Sequence, residues 1–174
     1  MNIAKQKEII RLRKEIIKIQ EEYIEKKVAY EEQQKAIYFD SAVKLFNDYL
    51  QKEGFKVTTS EYGGFQAELE GIVITFSVKP NILSVRMPNG ENYDIMIRNL
   101  AHFNPYMEKS IKDQDAEISY LKKEIATFKE RLDNVEKNQQ IKYALLEENN
   151  RHGRLEYDKK HFHEFNKIIE LMFS

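Results

Sequence analysis

The chain has no cysteine and no tryptophan. A disulfide framework, a thiolate nucleophile and a Cys-ligated zinc site are therefore excluded. Glycine and proline are scarce, with six and three in 174 residues. All the glycines but Gly153 fall between Gly54 and Gly90, and Pro80, Pro88 and Pro105 lie in or just beyond that stretch. Net charge is nearly absent too: 28 basic against 29 acidic side chains leave a formal charge of -1. Such a balance gives no dominant field to draw the chain to nucleic acid or to an anionic membrane, and it is not that of an acidic DNA mimic. No apolar run approaches the roughly 18 residues of a membrane span, and Met1–Glu8 has no apolar core of a signal peptide. The expectation is a cytoplasmic protein without membrane contact. The short catalytic signatures are missing as well. There is no Gly-x-Ser-x-Gly, no phosphate-loop glycine pattern ending in Lys-Ser/Thr, and no His-Glu-x-x-His. The expectation is no enzyme, no catalytic residue and no cofactor.

What the chain does have is charge and periodicity. Charged residues make up 33% of it, with both signs mixed along its length, as on helices laced with ion pairs. The abundance of Lys, Ile, Glu, Asn and Tyr is that of AT-rich coding DNA, which fits a low-GC bacterium, its phage or a mobile element. Residues 2–53 contain neither Gly nor Pro. Ile9, Ile16, Tyr23, Tyr30 and Ile37 recur every seven residues, with Leu12 and Ile19 at the intermediate positions. That is the a/d seam of helices that wind about each other. Ile10, Ile17 and Ile24 widen the seam, and a broad apolar face predicts a third contacting helix. From residue 36 the apolar residues cover most of the helix circumference, which predicts a helix over 36–53 buried in a globular head and stopped by Gly54.

Residues 55–98 alternate with period two. The sets are Phe55/Val57/Thr59, Phe65/Ala67/Leu69, Ile72/Ile74/Phe76/Val78, Leu83/Val85/Met87 and Tyr93/Ile95/Ile97. Gly63-Gly64, Glu70-Gly71, Pro80-Asn81 and Asn89-Gly90 separate them. This predicts a five-stranded antiparallel meander with one buried face. Asn104-Pro105 reads as a cap and first helical residue. Ile111, Ile118, Ile125, Leu132 and Leu146 then share a seven-residue repeat, with Leu121, Phe128 and Val135 between them. The fold expected is α+β: long antiparallel coiled-coil helices flanking a small five-stranded β-meander head, with a C-terminal amphipathic helix. The divisions are 1–35 (N-terminal coiled-coil helix), 36–104 (head), 105–150 (C-terminal coiled-coil helix) and 151–174 (amphipathic helix packing at the base of the stalk).

The candidate sites each have a plainer reading. The loop carrying Tyr62, Gly63, Gly64 and Phe65 places aromatics beside flexible glycines, as interfaces do, yet it is also an ordinary hairpin loop. Lys5, Lys7, Arg11, Arg13, Lys14 and Lys18 could touch phosphates, but Glu8, Glu15, Glu21 and Glu22 are interleaved with them and make a solvated helix face the plainer account. His161 and His163 read as helical neighbours two apart, pointing away from each other, so no metal is expected. The sheet aromatics share the parity of the aliphatic residues and read as core rather than as a base-stacking surface. The resulting expectation is an adaptor, assembly factor or protein inhibitor that binds a protein partner and forms a homodimer or higher oligomer. The alternative is an oligomeric structural protein held on nucleic acid by the basic N-terminal face.

Overall fold

A computed structural model describes residues 2–59, 64–151 and 154–174, with the backbone alone over 147–159. The fold is α+β, and the chain divides into two compact units. One comprises Met1–Glu32 and Ala101–Gln139, the other Gln33–Leu100 and Gln140–Ser174. Helix α1 (Ile3–Lys52) contributes to both. It starts where the Asn2 side-chain oxygen accepts from the Ala4 and Lys5 amides and ends at Gly54, whose φ of 90° suits a residue without Cβ. No break separates residues 35 and 36, and Ile37 is 52% exposed. The fully buried helix expected over 36–53 is thus a one-sided stretch of α1.

In the first unit, Ile9, Leu12, Ile16 and Ile19 of α1 meet Ile118, Leu121, Ile125 and Phe128 of α2 (Gln114–Asp133). Those are the a and d positions read from both heptad patterns. The helices run parallel, not antiparallel. Lys5 pairs with Asp115 (2.5 Å), Glu8 with Lys122 (2.9 Å) and Glu15 with Lys129 (3.0 Å), so both sequences advance in the same direction. The reason is the stretch between the sheet and α2. Residues 101–111 carry no regular structure and return along α1 as an extended strap. Phe103 stacks on Tyr23 at 5.1 Å. The Tyr106 amide donates to Gln20 Oε1 at 2.8 Å. Glu108 pairs with Arg13, and the Gln114 amide nitrogen donates to the Asn2 carbonyl at 3.3 Å. Extended chain advances about 3.3 Å per residue and helix about 1.5 Å, so a short strap retraces the first six turns of α1. The helix expected from Pro105 begins instead after Asp113, whose side chain accepts from the Ala116 amide at 2.7 Å.

The second unit holds one seven-stranded antiparallel sheet in simple chain order. The five expected strands are β1 (Lys56–Thr59), β2 (Phe65–Leu69), β3 (Ile72–Lys79), β4 (Ile82–Arg86) and β5 (Asn92–Asn99). Glu70-Gly71, Asn81 and Gly90 take the positive φ of their turns. Two more strands, β6 (Ile141–Arg151) and β7 (Arg154–Phe162), occupy what was read as the end of a coiled-coil helix and the start of an amphipathic one. A five-stranded head and a helical 134–150 are therefore corrected. Of the C-terminal helix only α3 (Asn166–Met172) forms, and it packs on the sheet rather than on a stalk. The buried face carries Ala67, Ile74, Phe76, Leu83, Val85, Ile95 and Leu145. Phe39, Ala42, Phe46 and Leu50 of α1 and Ile168, Ile169 and Met172 of α3 cover it, with Phe46 edge-on to Phe76 at 5.2 Å.

Candidate functional site

The basic N-terminal face is largely committed to intramolecular pairs. Lys5 reaches Asp115, Arg11 pairs with Glu15 (3.8 Å), Arg13 with Glu108 and Glu117, and Lys18 with Glu22 (3.7 Å). Among the described residues only Lys7 and Lys14 of the six have no ion pair. Two cations seven residues apart on a helix bordered by glutamates make a poor phosphate track.

Arg13 is the most constrained of the set. Its guanidinium joins Glu108 of the strap to Glu117 in the first turn of α2, and so ties all three elements of the unit together. Glu117 is the one buried charged side chain among the described residues, and its place near a helix N-terminus favours its charge. An open cleft of about 530 Å³ lies beside it, lined by Lys5, Gln6, Asp113 and Asp115 among others. Its carboxylates are already engaged: Asp113 caps α2, Asp115 holds Lys5 and Glu117 holds Arg13, while Lys112 at its edge makes no ion pair among the described residues. Among the described residues no group of three or more His, Asp or Glu side chains is placed to hold a metal. His161 lies on β7 and His163 just beyond it, so the helical geometry assumed for them does not apply.

The feature that packing leaves over is apolar. Ile3, Ile10, Ile17, Ile24 and Val28 are 67%, 48%, 51%, 38% and 47% exposed. The four isoleucines fall every seven residues, on the side of α1 away from the Ile9/Leu12/Ile16/Ile19 seam. At 100° per residue, their row lies about 140° round the helix from that seam. The isoleucines that were to widen the seam therefore do not meet a third helix; the strap sits between them and α2, engaging Gln6, Arg13 and Gln20 through its own groups and Gln114. An apolar row some 38 Å long on a charged helix is the kind of surface that marks an interaction site.

Of the head loop, Tyr62 and Gly63 lie outside the described residues. Gly64 sits tight against the sheet, where a Cβ would come 2.9 Å from the Phe76 carbonyl oxygen. Phe65 is half-exposed, its ring stacked on Phe76 at 5.1 Å. These two residues have a packing role within the sheet. Among the described residues no helix is long and apolar enough to cross a membrane. Comparison with protein-family models, curated proteins and solved structures finds no match.

Proposed function

We propose that this chain is a non-enzymatic protein-interaction module, acting in the cytoplasm as an adaptor, assembly factor or inhibitor, and that it binds its protein partner through α1. The observation that carries this reading is the heptad row of exposed isoleucines at Ile3, Ile10, Ile17 and Ile24. Exposed apolar side chains cost solubility unless something covers them, and seven-residue spacing is the spacing a partner helix reads. The ion pairs that absorb Lys5, Arg11, Arg13 and Lys18 weigh against the nucleic-acid alternative. The three carboxylates of the cleft beside Glu117 are likewise engaged, which weighs against a catalytic site there.

Affinity capture tests the proposal, with source lysate split into nuclease-treated and untreated halves and the wild-type chain run beside Ile17→Asp of equal helicity. One protein retained in both halves and lost with Ile17→Asp is the expected result. Capture that vanishes with nuclease, and steeply with salt, would move the function to nucleic acid. Capture untouched by Ile17→Asp would remove the α1 row as the binding surface.

A further inference from the structure

We infer that the α1 row is covered by the same row of a second copy of this chain, running antiparallel about a twofold axis at Ile17. The inference rests on the protein-interaction reading above and names its partner. Taken as the d positions of a second seam, Ile3, Ile10, Ile17 and Ile24 have Lys7, Lys14, Glu21 and Val28 as their a positions. All four are exposed, and among the described residues Lys7, Lys14 and Glu21 make no ion pair. The seam thus changes sign along its length, basic in its first half and acidic at Glu21.

That order of charges selects both the occupant and its direction. A parallel, in-register copy would set Lys7 against Lys7, Lys14 against Lys14 and Glu21 against Glu21, three like-charge contacts in the heart of the seam. An antiparallel copy centred on Ile17 sets Ile10 beside the partner's Ile24 and Ile17 against the partner's Ile17. In the same register Lys14 lies beside the partner's Glu21, and Arg11 lies toward the partner's Glu25. Each of these contacts occurs twice by symmetry, so one surface is complementary to itself, as a twofold interface requires. The polar a positions weaken the seam but fix its register, the role such residues have in coiled coils. The row from Ile3 to Val28 spans about seven turns of each helix, some 38 Å.

Because the chain has no cysteine of its own, the register is read by single-cysteine disulfide trapping of the full chain under mild oxidation. Ile17→Cys should cross-link to itself. Ile10→Cys and Ile24→Cys should each cross-link poorly alone and efficiently when mixed, since the two positions lie about 21 Å apart on one helix. Sedimentation equilibrium gives the affinity: Glu21→Lys and Lys14→Glu should each raise the dimer dissociation constant about tenfold or more, and the double variant Lys14→Glu/Glu21→Lys should restore it. Circular dichroism of each variant checks that the helix is intact. Self-cross-linking of Ile10→Cys as strong as that of the mixture overturns the antiparallel register. A chain that stays monomeric to millimolar concentration overturns the second copy as occupant; a protein captured through Ile17 from lysate would still sustain the interaction reading in that case, so the two failures are told apart.

Discussion

Arg13 shows how one side chain can hold a unit together. Its guanidinium is shared between a strap carboxylate and the buried Glu117, and its Nε is buried with no partner among the described residues. Arg13→Met leaves Glu117 desolvated beside an apolar stem, a loss of about 2 kcal/mol. The expected readout is a lower urea midpoint at unchanged m-value. Adding Glu117→Gln to Arg13→Met should recover part of that loss, because the orphaned charge is then gone; if the double variant is no more stable than the single one, the pair is not what holds the junction. Tyr143 gives a prediction in pH. Burial raises its pKa above the ordinary 10.0, an adjacent hydrogen bond with Ser41 opposes this, and Tyr38 nearby adds to the rise. A phenol whose folded pKa is raised contributes stability that is complete below pH 10 and lost as pH climbs through the folded value. Unfolding followed against pH should therefore show stability falling above pH 10, and Tyr143→Phe should flatten that fall. Part of this scale was legible in the sequence. The i, i+4 pairs Arg11–Glu15 and Lys18–Glu22 follow from spacing alone. The commitments of Lys5 and Arg13 do not, because their partners are 95 to 110 positions away along the chain.

At the scale of elements, the strap decides the direction of everything after the meander. Phe103 and Tyr106 pack partly buried against the α1–α2 seam, whereas Met107, the next residue, is 74% exposed. Phe103→Ala should cost about 2 kcal/mol, since a stacked ring half removed from water is lost, while Met107→Ala should stay within about 0.5 kcal/mol. Equal effects of the two in thermal or urea unfolding would mean the strap is not docked. The strap escaped the sequence because extension without a neighbouring strand leaves no period to read, and Asn104-Pro105 imitates a helix start. The heptads of α1 and α2 were legible, since a/d burial repeats in both. Their relative direction was not, because an apolar seam reads the same either way along its partner. Strand β6 was hidden by coincidence. Ile141, Tyr143 and Leu145 alternate inward as a strand should, with Tyr143 and Leu145 buried, but Leu146 falls on the seven-residue repeat of α2 and extends the helical pattern on paper. The five-strand meander was read nearly to the residue because each turn carries its own Gly or Asn signal.

At the scale of the molecule, the two units are joined by α1 and by two further crossings of the chain, which lie next to each other. Strands β5 and β6 are neighbours in the sheet. The Leu100 amide donates to the Gln140 carbonyl at 2.9 Å and the Gln140 amide to Asn99 Oδ1 at 3.1 Å, so the chain leaves the sheet and re-enters it at one hydrogen-bonded point. Residues 101–139 are in this sense a long excursion from an ordinary antiparallel hairpin. The core of the second unit draws on α1 from Tyr38 onward. It follows that a chain of residues 33–174 in which 101–139 is replaced by an Asn-Gly turn should fold, since Asn-Gly suits the backbone of a two-residue hairpin and no buried residue of the sheet core is removed. The expected result is a cooperative urea transition and slow exchange of the amides of Ile74, Leu83 and Ile95, which sit in the middle of the sheet. A shortened chain that unfolds without cooperativity, or exchanges those amides freely, would show that the sheet depends on the parallel helix pair. Folding of the shortened chain would instead confine the α1 row, the strap and α2 to a separable unit, and any self-association through Ile17 should then be lost with it.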